Sequence, residues 1–155
     1  MRVKVGDNAP DFTLTSQNGE EVTLSQFLSK KNIVLFFYPK DESPICTRQV
    51  MIFKDNFKIF TKLDAEVLGV NSGSIKSHKA FAEHHKLPFM LLSDKDKKVK
   101  KLYGVSSSLG IISGRVTYII DKKGVVRNLF SSQLQLGKHV EEAKKILETI
   151  KEKSF

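Results

Sequence analysis

The only cysteine of the chain, Cys46, stands where a thiol could act as a nucleophile. An apolar run from Ile33 to Tyr38 stops at Pro39, a polar loop follows, and a helical pattern begins around the cysteine. A thiol in the first turn of a helix lies near unpaired backbone N–H groups and the positive end of the helix dipole, which favours the thiolate. The alternative is a cysteine that packs as a small apolar residue, and the apolar helix face around Cys46 also fits that reading.

The residues that flank the cysteine favour chemistry over packing. Pro44 restricts Ser43 to an extended conformation and has a φ angle suited to a helix start. Ser43 then stands at the N-cap, where its hydroxyl can accept from helix N–H groups or donate to a bound oxygen. Pro39 lacks an N–H and lets the loop leave the sheet. A thiolate, oriented N–H donors and a hydroxyl are therefore expected together at the end of a buried strand.

Strands and helices alternate along the chain and position this site. Polar and apolar residues alternate on both sides of Asn18-Gly19, which predicts an N-terminal β-hairpin. Later strands are predicted over 33–38, 66–70, 89–92, 115–120 and 125–130. We expect an α/β, thioredoxin-like fold with a mixed central β-sheet flanked by helices, in one domain over residues 1–155.

Three helix predictions are more local. Ser25 is expected to cap a short helix through Leu28. Apolar residues spaced four, three, four and three from Cys46 to Phe60 predict one continuous helix with a single inward face. A further helix is expected to begin at Ser74, with Ile75, Phe81 and Ala82 as its inward residues.

The stretch around Cys46 resembles the active site of the peroxiredoxins. Pro39, Ser43 and Cys46 match their pattern Pro-x-x-x-Thr/Ser-x-x-Cys, and the surrounding Phe-Tyr-Pro-Lys-Asp-x-Ser-Pro-x-Cys-Thr is similar to the bacterioferritin-comigratory, or PrxQ-type, branch. The opening segment, residues 5–12, resembles the start of that family. The segment 114–121 resembles the strand that carries its active-site arginine.

The resemblance implies a role for each of these residues. Cys46 would be the peroxidatic nucleophile that reduces hydrogen peroxide or organic hydroperoxides and becomes a sulfenic acid. Arg115 and the Cys46 amide would stabilise the departing oxygen, while Ser43 would orient the peroxide. Pro39 would shield the thiolate from water.

Met51 occupies the position where many members of this branch have a second, resolving cysteine. The chain has no other cysteine. We therefore expect a 1-Cys mechanism in which an external thiol, from thioredoxin or from glutathione with glutaredoxin, resolves the sulfenic acid. The glycine usual at position 45 is replaced by Ile45, which stiffens the loop.

Composition limits the remaining possibilities. The net charge is +9, most of it in residues 78–155, with a dense cluster at Lys95, Lys97, Lys98, Lys100 and Lys101. We favour a solvated helix face over a nucleic-acid site because lysine predominates and no aromatic residue interleaves. The apolar runs are too short to span a membrane.

The other partners and sites are expected to be few. A single cysteine suits a reducing, cytoplasmic setting, and we expect a monomer or a homodimer without a cofactor. His78, His84 and His85 lie on one predicted helix, but no carboxylate clusters with them in the sequence, so we expect no metal.

Two other functions remain open at this point. Ser43-Pro44-Ile45-Cys46 has Cys-x-x-Cys spacing, which suggests a thiol–disulfide or glutathione-dependent reductase on the same fold. The nucleophile of such motifs is the first cysteine, however, and here that position is a serine. The basic second half alternatively suggests a non-catalytic binding module.

Overall fold

A computed structural model describes residues 3–105, 115–132 and 135–152. Within them, seven strands form one sheet in the order β2-β1-β5-β4-β3-β6-β7. The strands are β1 (Thr13–Ser16), β2 (Glu21–Thr23), β3 (Asn32–Phe37), β4 (Ala65–Asn71), β5 (Met90–Ser93), β6 (Val116–Ile120) and β7 (Val126–Ser131). The helices are α1 (Pro44–Asp55), α2 (Phe57–Lys62), α3 (Ile75–His85), α4 (Lys98–Tyr103) and α5 (Leu136–Glu152).

The sheet is mixed, as the sequence predicts. Strands β3, β4 and β5 pair in parallel, while β6 runs antiparallel to β3 and to β7. The N-terminal hairpin β1–β2 joins the sheet through an antiparallel pairing of β1 with β5. The central β3 places its C-terminal end, and the loop that follows, beside the start of β6.

Both faces of β3 are buried, which explains its unbroken apolar sequence. Residues 33, 35 and 37 pack on the side of α4, while residues 34 and 36 pack on the side of α1, α3 and α5. The ring of Phe36 stacks on Phe53 of α1 with the centroids 4.3 Å apart. Gly69 of β4 makes room for this ring, because a Cβ there would lie 2.8 Å from it.

Three local predictions are wrong. The short helix is a 3₁₀ turn, Leu24–Phe27, whose cap is Thr23 and not Ser25, because Thr23 and Gln26 form a reciprocal capping box. The expected single helix over 46–60 is divided at Asn56, whose side chain donates to the carbonyl of Ile52 at 2.8 Å.

The third error concerns the inward face of α3. Ile75 is 39% exposed, while Phe81 and Ala82 are buried as expected. The helix does begin after Ser74, whose hydroxyl accepts from Ser77 N–H at 3.0 Å. The first turn of this helix therefore faces solvent, and its inward face begins one turn later.

Candidate active site

Cys46 lies in the first turn of α1, held there by the cap that the sequence predicts. Ser43 is extended, Pro44 is the first helical residue, and the hydroxyl of Ser43 accepts from the N–H of Cys46 at 3.4 Å. The same hydroxyl donates to the carbonyl of Lys40 at 3.2 Å. The amide of Cys46 thus makes a long hydrogen bond to Ser43, and Cys46 as a whole is 1% exposed.

Arg115 lies against this thiol although 69 residues separate the two in the chain. Its Nη2 donates to Sγ of Cys46 at 3.3 Å. Strand β6 explains the contact, since Val116 pairs with Phe37 at the end of β3, and Arg115 therefore stands beside the loop that leads to α1. Arg115 is 3% exposed, so the charge of its guanidinium acts on the sulfur with little screening by water.

Gln49 orients the guanidinium and was not predicted from the sequence. Its Oε1 accepts from Nη1 of Arg115 at 2.6 Å. Gln49 follows Cys46 by three residues, and this spacing puts both on one face of α1. The spacing could have indicated the residue, but only the fold shows that the shared face meets Arg115.

His139 of α5 is a second buried polar residue near Arg115 that sequence reasoning missed. Its Nε2 donates to the carbonyl of Ser132 at 2.9 Å, so Nδ1 accepts from the hydroxyl of Thr117 at 2.8 Å. Burial lowers the pKa of His139, and the charge of Arg115 lowers it further against the effect of the Ser132 carbonyl. A neutral His139 leaves the positive charge at this site to Arg115.

Asp41 anchors the loop between β3 and α1 through a buried network. Its carboxylate accepts from Tyr38 Oη at 2.6 Å, Asn71 Nδ2 at 3.2 Å, Ser77 Oγ at 2.7 Å and His78 Nδ1 at 2.6 Å. Burial by itself raises the pKa of Asp41, but the hydrogen bonds, first that of His78, outweigh it and hold the pKa below its usual range. Burial and the Asp41 charge also keep the pKa of Tyr38 well above normal, so its hydroxyl remains a donor.

Pro39 is the fourth residue that the sequence assigns to the site. It follows β3 closely, is exposed, and lines a small cleft together with Asn71 and Lys100. Shielding of the thiolate by Pro39 stays a prediction.

Comparison with known proteins identifies the group to which this architecture belongs. A sequence model of the AhpC/TSA family matches residues 5–129. Chloroplastic peroxiredoxin Q of Sedum lineare is 47% identical over 151 residues, which are 97% of this chain and 81% of that protein. The chain belongs to the AhpC/TSA family, as a peroxiredoxin of the Q type.

Other relatives agree with this assignment. Chloroplastic peroxiredoxin Q of Arabidopsis thaliana is 47% identical over 147 residues, 94% of this chain and 68% of that protein. Peroxidoxin BcpB of Mycobacterium tuberculosis superposes with a TM-score of 0.88 at 33% identity, covering 96% of this chain and 99% of the other. A cysteine-to-serine mutant of Xylella fastidiosa PrxQ gives a TM-score of 0.86 at 26% identity, covering 97% and 99%.

This peroxiredoxin is therefore a thiol-dependent peroxidase with the predicted thioredoxin-like fold. Its single cysteine is consistent with a 1-Cys mechanism. The family assignment selects the peroxidase over the disulfide reductase and the non-catalytic binding module. Within the described residues, no helix combines the length and apolar character that crossing a membrane requires.

The three histidines that the sequence places on one helix differ in burial and in partners. His78 is fully buried on Asp41. His84 and His85 do lie near a carboxylate, that of Glu42, which is remote in sequence and which the prediction did not consider. The reason given for expecting no metal there is therefore wrong.

Proposed function

We propose that Cys46 is the peroxidatic nucleophile, that Arg115 and Ser43 place the peroxide, and that Pro39 limits the access of water. The observation that carries the proposal is the 3.3 Å contact between Nη2 of Arg115 and Sγ of Cys46. Both residues are almost fully buried, so the interaction between the guanidinium and the charge that the sulfur carries or passes to oxygen is stronger than it would be in water.

The proposed reaction moves negative charge from sulfur to oxygen. The thiolate attacks one oxygen of a hydroperoxide, so that an S–O bond forms as the O–O bond breaks. The sulfur is oxidised to the sulfenic acid level, and the departing oxygen takes a proton and leaves as water or an alcohol. The guanidinium of Arg115 stabilises this developing charge. The Ser43 hydroxyl reaches a peroxide oxygen by rotating away from the Lys40 carbonyl.

One experiment tests the assignment of the nucleophile. Reduced protein is mixed with one equivalent of hydrogen peroxide, and peroxide loss and intact mass are followed together. We expect rapid consumption and one added oxygen, trapped on Cys46 by a sulfenic-acid reagent. Cys46→Ser protein is the control, and it also reports oxidation of the three methionines. Equally fast consumption by this variant would refute the proposal.

We also propose that the sulfenic acid is resolved by an external thiol. A first thiol condenses with it, releasing water and leaving a mixed disulfide, and a second thiol frees Cys46 while forming the oxidised reductant. Because Cys46 is 1% exposed, the first turn of α1 has to move before a reductant can reach it. Reduction of the free sulfenic acid, formed with one equivalent of hydrogen peroxide and no trapping reagent, is compared for thioredoxin and for glutathione plus glutaredoxin, and the faster system is identified as the reductant. A mixed disulfide with glutathione would be seen by mass.

The setting and assembly of the chain are part of the proposal. We propose a reducing compartment, the cytoplasm being our expectation, whereas the plant relatives are named chloroplastic. Fractionation of the source cells tests this. We further propose that residues 1–155 fold as one domain, present as a monomer or a homodimer, which limited proteolysis and light scattering test. Lys95, Lys97, Lys98 and Lys101 are exposed and support a solvated surface there, whereas Lys100 is half-buried in the cleft beside Pro39.

A further inference from the structure

Glu42, His84 and His85 converge where the loop before α1 meets the end of α3. Nδ1 of His84 lies 3.0 Å from Oε2 and 3.2 Å from Oε1 of Glu42. Nε2 of His85 lies 3.1 Å from Oε1 of the same carboxylate. The candidate ligand atoms all lie within 4.8 Å of one another. We propose that these three residues form a binding site for zinc or a similar divalent transition metal ion.

The donor set suits such an ion. Two imidazole nitrogens and one carboxylate oxygen make a three-ligand zinc site whose fourth position is left to water. Bonds of about 2.0–2.2 Å at tetrahedral angles put neighbouring ligand atoms about 3.3–3.6 Å apart. The nitrogen–oxygen distances of 3.0–3.2 Å are a few tenths of an ångström shorter than this, and no ligand atom lies more than 4.8 Å from another, so small side-chain rotations bring all three onto one ion.

The candidate ligands are accessible to an ion from solution. The side chains of His84 and Glu42 are 65% and 46% exposed, and that of His85 is 17% exposed. The chain has two other histidines, His78 and His139, and both are fully buried with partners of their own.

The position of the site gives it a consequence for the peroxidase. Glu42 directly precedes Ser43, the cap of α1, so a metal ion would tie the start of α1 to the end of α3. In the proposed cycle, reduction of oxidised Cys46 requires that first turn to move, because Cys46 is 1% exposed and a protein or peptide thiol is bulkier than a peroxide. Bound metal should therefore slow reduction by an external thiol more than oxidation by peroxide. This consequence rests on the proposed function, whereas the site itself does not.

Metal binding is tested first in a protein without the thiol. In the Cys46→Ser background, chelator-treated protein is titrated with Zn²⁺ by calorimetry and with Co²⁺ by visible absorption. We expect one ion per chain and a tetrahedral Co²⁺ spectrum. Adding Glu42→Gln or His84→Ala should weaken binding at least about tenfold, since even residues that only orient a ligand are worth 10–100-fold in affinity. Failure of the proposed peroxidase leaves this result untouched.

Glu83→Gln is the matched control for Glu42→Gln. Glu83 is exposed on α3, next to His84, and its substitution removes one negative charge, as that of Glu42 does. Its affinity for Zn²⁺ should stay within about twofold of the parent. The site is refuted if no ion binds, if Glu42→Gln binds as the parent does, or if Glu83→Gln weakens binding equally.

The effect of bound metal on the reduction of Cys46 is tested in protein that retains this residue. The rates of oxidation by hydrogen peroxide and of reduction by the chosen thiol are measured with and without Zn²⁺. We expect Zn²⁺ to slow reduction of the wild type at least about fivefold and to leave reduction of the Glu42→Gln variant unchanged. The variant also controls for metal captured by the reductant, because such capture would slow the reduction of both proteins. Equal reduction rates of the wild type with and without saturating Zn²⁺ would refute the claim that bound metal restrains the first turn of α1.

Discussion

The contact between Arg115 and Cys46 leads to the most demanding prediction, for the substitution Arg115→Lys. The guanidinium reaches Sγ with Nη2 at 3.3 Å and Gln49 with Nη1 at 2.6 Å. Lysine keeps the positive charge but lacks the rigid planar fork that makes both bonds at once. The variant therefore separates the contribution of oriented donors from that of charge alone.

We expect the rate constant for reaction with hydrogen peroxide to fall by about 10²–10³-fold. One preorganised donor at the developing charge of an enzyme site is worth about 2.7–4 kcal/mol, which corresponds to that range. Stability should fall as well, by about 1–3 kcal/mol, because the buried Gln49 acceptor loses its partner. The rate follows from competition for peroxide with a haem peroxidase of known rate, and stability from urea unfolding.

Arg127→Lys is the matched control for this substitution. Arg127 lies on β7 and pairs with Asp121 at 3.2 Å, and its side chain is 40% exposed. Such a surface pair contributes little, so the peroxide rate should stay within about twofold of wild type. If Arg115→Lys protein is folded and reacts within about threefold of wild type, the guanidinium fork is not what activates Cys46.

Three further predictions concern the helix caps, two glycines and Asp41. Ser43→Ala and Ser74→Ala each remove an N-cap and should each lower the free energy of unfolding in urea by about 0.5–2 kcal/mol. Only Ser43→Ala should slow the reaction with peroxide. Equal effects of the two substitutions on that rate would contradict the proposed role of Ser43. Gly69→Ala should lower stability by about 1–3 kcal/mol in thermal unfolding because the new methyl meets packed side chains. Gly137→Ala, in open space within α5, should be neutral or stabilising by up to about 1 kcal/mol. Asp41→Asn protein should be less stable than wild type above about pH 5, and the difference should shrink as the pH falls below about 4. The pKa of Asp41 is lowered in the folded state, so its interactions stabilise the protein only while the carboxylate is charged. A difference that is constant between pH 6 and pH 2 would contradict this origin.

Local sequence rules worked where the interaction is local. Ser43 and Ser74 cap their helices because the hydroxyl and the amide it serves are three residues apart. The rules failed at Asn56, where the apolar period continues through a break in the helix. Both α1 and α2 face the same core, so the spacing of Phe53 and Phe60 carries no sign of the break.

Local sequence rules do not predict the residues that contact Cys46 and its neighbours from distant parts of the chain. Arg115 came from the resemblance to a family, and no spacing rule links it to Cys46. Gln49 and His139 were missed, because a buried polar residue on an apolar face can be told from a surface residue only when its partner is known. Glu42 was likewise separated from the two histidines it meets by 42 residues or more.

The sequence by itself determined the candidate nucleophile, its helix cap and the presence of a single cysteine, because all three depend on residue type and on spacings of a few residues. The tertiary structure alone decided what surrounds the thiol. The antiparallel pairing of β6 with β3 carries Arg115 to Cys46, and the packing of α3 against the active-site loop carries His78 to Asp41. These contacts join segments tens of residues apart, and their geometry is set by strand register and core packing.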